Sequence, residues 1–321
     1  MQHSHEPKTI LLTWWTWFIW SKLLEKLIHE GHTILLLKRR TSSTVRIDML
    51  LKGPYNIISF NTEETDLDTL FTTHKIDMIL HLATSYKKTH ASHDVEDMIY
   101  SNVTFPSLLC ESAIKHWIKY FINTGTFFEY AHSSNTKNIL REESPEKAYN
   151  LYASTKLAFN EIVKYYSQNY DFKVINLRLF SPYGPKDNQK LIPMLIQAIL
   201  QKKEMKLSWW EQQLTFTYVD DIVDAYIKSI DFFKKMSSMY EVFNIGNHDT
   251  SSIKEIVGYL KKISWTDMTN VCLWEVPYLN NEIFHSWCDA TKAKLLLGWE
   301  PKYTIESWLS LTYDYYKHAV Q

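Results

Sequence analysis

Through the first half of the chain, short apolar runs alternate with stretches whose apolar positions return every three or four residues. This order predicts a parallel sheet covered by helices. The strand-like runs are TILLT (9–13), HTILLLK (32–38), YNIISFN (55–61), DMILHLA (77–83), KYFINTGT (119–126) and FKVINLRLF (172–180). Most of their positions are apolar rather than alternating, as in strands buried on both faces. Between the first two, SKLLEKLIHEG sets its apolar residues on one helical face and stops at Gly31, a residue suited to ending a helix. After about residue 180 the pattern loosens into proline-marked turns (SPYGP, VPYL, WEP), helices and short strands such as LTFTYV and EVFNIG. The expectation is an α/β chain in two parts: a doubly wound parallel sheet over 1–180 and a smaller α/β part over 181–321, interleaved with it and forming a cleft. Open α/β sheets bind ligands at the carboxyl ends of their strands, where the strand order reverses.

Composition narrows the function. A chain of 321 residues, 45% hydrophobic and 22% charged, can bury a large core. A net charge of -1 and a pI near 6.9 give no field for a polyanion, so no nucleic-acid partner is expected. The start MQHSHEPKTILL lacks the layout of a secretory signal, and no apolar run is long enough for a bilayer. Cys110, Cys272 and Cys288 form no CxxC pair and read as packed residues of a reducing cytoplasm; without an HExxH motif, no metal site is expected. One property is abnormal. There are 7 glycines, where a chain of this length averages about 22, and 12 tryptophans.

Candidate chemistry begins at YASTK, where Tyr152 and Lys156 stand one helical turn apart and share a face. A phenol titrates near pH 10, and a neighbouring ammonium brings that value down towards the working range of an acid or base. The spacing alone is weak, since Tyr313 and Lys317 repeat it, and a surface pair is the ordinary outcome for either. Tyr152 has company: Thr126 ends the strand KYFINTGT, where its hydroxyl can face the same cleft. The plainer alternative is a turn threonine bonded to its own backbone.

Eight fragments in order carry a resemblance: HLAT (81–84), SNVTFPSLLCESA (101–113), INTGTFFEY, YASTK, LRLFSPYGP (177–185), FTYVDDIVDAY (216–226), FNIG (243–246) and LLGWEP (296–301). From about residue 8 to 315 the chain resembles an extended short-chain dehydrogenase/reductase of the nucleotide-sugar epimerase, dehydratase and reductase group. The resemblance implies a Rossmann-type domain, a C-terminal substrate-binding part, a nucleotide-sugar substrate, NADP(H) or NAD(H) as cofactor and a homodimer. It implies that Tyr152 exchanges a proton with the sugar C4 oxygen, that Lys156 lowers its pKa and holds the nicotinamide ribose, and that Thr126 bonds the reacting oxygen. By the same resemblance Leu82, Ala83, Asn102 and Phe180 line the cofactor, and Ser181 stands where the family usually has a substrate-contacting asparagine.

The departures from the family are informative. Phe127 and Phe128 occupy the place of the Asp-Glu of 4,6-dehydratases, which disfavours dehydration. The second strand ends in Lys38, Arg39 and Arg40 rather than an acidic residue, so these three suit a 2'-phosphate and an exchangeable NADPH; solvated charges are the alternative. Leu214 and Leu279 stand where arginines often hold the diphosphate. The nearest flavour is the CDP-abequose/paratose synthase branch. The alternative function is a cofactor-free, catalytically inactive relative acting as a binding or scaffold protein, though a scaffold has no use for a tuned phenol.

The largest departure is TWWTWFIW (13–20). Trp14, Trp17 and Trp20 fall on the three glycine places of the family's G-x-x-G-x-x-G fingerprint, with Phe18 and Ile19 matching between them. Those glycines allow a tight turn, close approach to the pyrophosphate and helix packing. Three indoles fill that space. Trp117, Trp209, Trp210 and Trp308 also fall where the family reads glycine, Trp15 and Trp274 behave likewise, and Trp299 is a family tryptophan. An aromatic stripe does not explain the cluster, because 14, 15, 17 and 20 share no helical face. The expectation is that UGA codons meaning glycine in the source organism were written as tryptophan, so that the chain as it stands is inactive and its natural counterpart is an enzyme.

Overall fold

The computed structural model describes residues 6–14, 18–132, 139–187, 190–208, 211–265, 271–276 and 283–320. By their contacts the residues form two discontinuous units. One comprises Met1–Tyr130, Pro145–Arg178 and Val223–Phe243, the other Ala131–Ser144, Leu179–Ile222 and Asn244–Gln321.

The first unit is built on a seven-stranded sheet. Its strands are β1 (Thr9–Trp14), β2 (Thr33–Lys38), β3 (Ile57–Asn61), β4 (Met78–His81), β5 (Tyr120–Thr126), β6 (Lys173–Leu179) and β7 (Tyr240–Ile245), in the order β7-β6-β5-β4-β1-β2-β3. Pairing is parallel for β1 with β2 and β4, β2 with β3, and β4 with β5, in registers such as Leu11↔Leu35 and Leu11↔Ile79. The central strands are apolar because helices cover both faces: Ile10, Leu11, Leu12, Ile79 and Leu80 have no exposed surface. Helix α1 (Phe18–His29) buries Leu23, Leu24, Leu27 and Ile28 and ends at Gly31, whose φ of 86° closes the last turn. Helices α2 (Phe105–Lys115) and α3 (Leu151–Asn169) supply Leu109, Ala113, Phe159 and Val163 to the same core. Strand order reverses between β1 and β4, the switch point of a doubly wound sheet.

The six expected strands of the first half form within a few residues of their predicted ends. EVFNIG corrects the expectation: as β7 it joins the main sheet beside β6 instead of belonging to an appended part. Phe243 and Ile245 are fully buried there, and the Val174 N–H reaches the Met239 carbonyl at 2.9 Å. Local pattern says that such a segment is a strand, not which sheet it joins.

The second unit has its own sheet of four short strands, Thr250–Ser252, Gln213–Thr215, His285–Cys288 and Ile139–Leu140 in that order, with helices Leu191–Gln201, Ile253–Ser264 and Ile305–Val320. Trp299 is fully buried in it, its indole N–H donating to the Asp221 carbonyl at 2.8 Å. Cys110 and Cys288 are buried free thiols, and the side chain of Cys272 lies outside the described residues. Among the described residues no helix is long and apolar enough to cross a membrane, and no cluster of acidic, histidine and cysteine side chains suits a metal ion.

Candidate active site

Asn150 caps α3, its side-chain oxygen accepting the Ala153 N–H at 3.0 Å. The cap sets Tyr152 in the first turn and Lys156 one turn on, 3% and 1% exposed respectively. The sequence copy behaves differently, for Lys317 of Ile305–Val320 is exposed. Identical spacing gives a solvated cation in one helix and a desolvated one in the other. Only the second stands where carrying a charge is costly.

Lys156 Nζ has no hydrogen-bond partner. Burial pulls its pKa down to about 8, partly offset by the negative charge of Glu129. Tyr152 departs from expectation. Burial, then the Glu129 charge and the Tyr86 phenol, push its pKa up, and a hydrogen bond with Thr84 only partly counters them. The neighbouring ammonium was expected to bring the phenol down, but desolvation of the phenolate dominates here, and Tyr152 keeps its proton at neutral pH.

The loop after β4 is tied to α3 through Asn102, which is fully buried. Its side-chain oxygen accepts from the Thr84 hydroxyl and the Ser85 N–H, both at 2.8 Å, and its amide donates to the Ser85 carbonyl and the Thr155 hydroxyl, both at 2.9 Å. All four positions of the amide group are filled within the protein. Thr84 thus connects Asn102 to the Tyr152 hydroxyl. At the switch point, Thr13 Oγ1 and His81 Nδ1 lie 2.9 Å apart, and the Ala83 N–H donates to the Thr13 hydroxyl at 3.3 Å. Leu82 and Ala83 follow directly, both buried.

Thr126 ends β5, with its hydroxyl accepting the Phe128 N–H at 3.3 Å, the local bond of a turn threonine. Its own O–H proton can still be donated. The Thr126 N–H donates to Glu129 Oε1 at 2.8 Å, which leads to a layer of polar groups that sequence reasoning missed. Glu129 is fully buried and also accepts from Asn160 at 2.9 Å and from Arg178 Nε at 2.7 Å. Arg178 pairs with Glu146 as well and lies over the Tyr130 ring, 4.6 Å from its centroid. Asn123 donates to Asn176 at 3.1 Å beside them. Gly125 makes room for this layer: a Cβ there would stand 2.8 Å from Asn176 Oδ1 and 3.0 Å from Glu129 Oε1. The available signal was Arg178 inside the otherwise apolar run FKVINLRLF, since a charge in a buried strand requires a partner.

Aromatic rings wall the phenol. Tyr86 meets Tyr152 edge-on at 4.9 Å and 88°, stacks on Phe128 at 6.4 Å and 8°, and Phe128 stacks on Tyr149 at 5.2 Å and 23°. Phe127 is buried against Phe128. Neither phenylalanine offers an acid or base.

At the end of β2, Lys38 donates to Asn61 at 3.0 Å, and Arg39 reaches Asp97 at 2.5 Å and Ser101 at 2.7 Å. Arg40 is 75% exposed by its side chain, with Glu64 at 3.9 Å. In the second unit Phe180 is fully buried, its carbonyl accepting the Thr217 hydroxyl at 2.6 Å, and Ser181 has a φ of 31°. That is a left-handed conformation in which asparagine is also at ease.

The residues meet the needs of a nicotinamide dinucleotide at one end only. A buried, unbonded ammonium at Lys156 suits a sugar hydroxyl. At the other end, Phe18, Ile19 and Trp20 are buried in the first turn of α1, Trp20 at 1% exposure, so the third fingerprint position is filled by an indole where close helix packing calls for glycine. The side chain of Trp14, and all of Trp15, Trp17, Trp209 and Trp210, lie outside the described residues, as do Leu279 and the side chain of Trp274.

A family model described as the NAD dependent epimerase/dehydratase family matches residues 10–246. CDP-abequose synthase of Salmonella typhimurium is 28% identical over 292 residues, covering 89% of this chain and 91% of that protein. UDP-glucose 4-epimerase of Halalkalibacterium halodurans is 23% identical, covering 89% and 92%. Among solved structures, UDP-glucuronic acid 4-epimerase from Bacillus cereus, in complex with UDP-glucuronic acid and NAD, superposes with a TM-score of 0.86 at 26% identity, covering 97% of this chain and 99% of that one.

Proposed function

From the premise that the chain belongs to the NAD dependent epimerase/dehydratase family, we propose that its natural form is a nucleotide-sugar oxidoreductase working at sugar C4, a 4-ketoreductase in preference to a 4-epimerase. The observation that carries this reading is Lys156: a buried ammonium without a hydrogen-bond partner, one turn from a buried phenol. A scaffold has no reason to bear the cost of desolvating that charge.

When bound, NADP(H) or NAD(H) supplies or takes the hydride. The chain's own residues handle the oxygen. Reduction of a C4 ketone leaves negative charge on that oxygen, and Tyr152, still protonated at neutral pH, gives up its proton there. The Lys156 ammonium stabilises the developing charge in a site poor in water, and the Thr126 hydroxyl donates to the same oxygen. Epimerisation would run the same proton and hydride transfer in both directions on a retained cofactor, whereas an exchangeable NADPH suits a reductase. Phe127 and Phe128 carry no group to remove water across C5 and C6, which argues against a dehydratase.

Among the basic residues after β2, Arg40 is the one whose side chain extends into solvent, and it favours NADPH through the 2'-phosphate. Similarity to the Salmonella enzyme favours a CDP-linked substrate. A homodimer in the cytoplasm completes the reading, on the family resemblance. The test is a screen of CDP-, dTDP-, UDP- and GDP-linked 4-ketosugars for NADPH oxidation by protein carrying W14G, W17G and W20G. Turnover of one of them is expected. Failure of that protein to bind either NADPH or NADH would defeat the proposal.

A further inference from the structure

We infer that glycine, not tryptophan, occupies positions 117, 265 and 308, as well as 14, 17 and 20, in the protein made by its own cells, and that Trp299 is a genuine tryptophan. The first three assignments come from backbone and packing, independently of the family fingerprint.

Trp117 follows α2 with a φ of 62°. Its N–H donates to the Ile114 carbonyl at 3.0 Å and the next N–H, of Ile118, to the Ala113 carbonyl at 2.9 Å. This pair of bonds defines a helix end whose left-handed residue is usually glycine. The chain contains the same device with glycine in place: after α1, Gly31 has a φ of 86°, its N–H reaches the Ile28 carbonyl at 3.1 Å, and the His32 N–H reaches the Leu27 carbonyl at 3.2 Å. Trp265 closes Ile253–Ser264 at φ 55° and ψ 30°, its N–H on the Lys261 carbonyl at 3.2 Å. A bulky aromatic residue in this region is a conformational outlier. Burial does not compensate, because Trp117 is 83% and Trp265 93% exposed. The other left-handed residues apart from glycine, Ser181, Lys186 and Lys202, are small or unbranched and polar.

Trp308 shows the opposite misfit. It lies in the helix Ile305–Val320 at 1% exposure, with its ring centroid 3.7 Å from that of Tyr183 at 46° between planes. Aromatic pairs normally sit about 4.5–7 Å apart. The Tyr183 hydroxyl, buried beside it, has no hydrogen-bond partner. Trp299 by contrast has a buried indole and a 2.8 Å bond for its N–H to the Asp221 carbonyl, and glycine there would leave a cavity.

The structure thus sorts tryptophans by whether the backbone or the packing tolerates them. A single codon assignment, UGA for glycine, explains why the misfits share one residue type, since UGA and the glycine codon GGA differ at one base. For 14, 17 and 20 the inference also rests on the proposed cofactor site.

Two measurements test it. The gene should show UGA at codons 14, 17, 20, 117, 265 and 308 and UGG at codon 299, and mass spectrometry of peptides from the source cells should find glycine at 117 and 265. UGG at 117 and 265, or tryptophan in those peptides, overturns the inference while leaving the oxidoreductase reading to its own assay. In the chain as it stands, W117G and W265G should each raise the melting midpoint by about 2–4 °C, and a fall at both sites would count against it.

Discussion

Lys156 shows what a residue's surroundings add to its identity. Its folded pKa of about 8 lies below that of an exposed lysine because burial penalises the ammonium. The sign of the resulting pH dependence follows. Below about pH 8 both folded and unfolded chains carry the proton, and the folded state bears the full penalty, on the order of 3 kcal/mol. Between about pH 8 and the ordinary lysine range the unfolded chain binds more protons, so stability rises with pH; above that range the penalty is gone. Lys156→Met should therefore stabilise the protein at pH 7, and the gain should vanish by about pH 10.5, as urea denaturation across that range would reveal. An unchanged midpoint at pH 7 would mean that the lysine is not desolvated. Tyr152 and Lys156 were legible in the sequence by spacing and neighbouring motifs. The direction of the Tyr152 pKa was not, because it depends on how completely the phenol is buried.

Elements were legible where the pattern is local. The six strands of the first half, α1 and its stop at Gly31 follow from apolar runs and one helical face. The place of β7 was not, since hydrogen bonding to β6 from far along the chain leaves no local mark. Nor was the polar layer where β5, α3 and β6 meet. Glu129 holds the Thr126 N–H, Asn160 and Arg178 together. Glu129→Gln keeps the shape but removes one of the two carboxylates that pair with the Arg178 guanidinium, and because Glu146 remains the loss should stay below the about 3–5 kcal/mol typical of an uncompensated buried charge. The same change removes the one negative charge that raises the Lys156 pKa. In protein bearing W14G, W17G and W20G the activity profile should therefore shift to lower pH as well; a loss of stability with an unmoved profile would make Glu129 structural only. At the end of β2, Arg40→Glu should weaken NADPH binding by about tenfold, the value of one charge-assisted hydrogen bond, while sparing NADH. Equal effects on both would remove Arg40 from 2'-phosphate recognition.

For the molecule as a whole, composition carried more than it usually does. A deficit of glycine beside an excess of tryptophan is a global property, yet it points to particular places: the proposed phosphate-binding stretch, two helix ends and a crowded helix. The excursions of the chain between units, at 131–144 and 223–243, carry no compositional signature, because a crossing point is set by packing and not by residue type. Everything proposed about function converges on the proton held at Tyr152. The direct test is Tyr152→Phe in protein bearing W14G, W17G and W20G, assayed for NADPH oxidation with the 4-ketosugar nucleotide that the parent reduces. The expected result is unchanged NADPH binding with kcat lowered by about 10²–10⁴-fold; turnover within a few-fold of the parent would contradict the account.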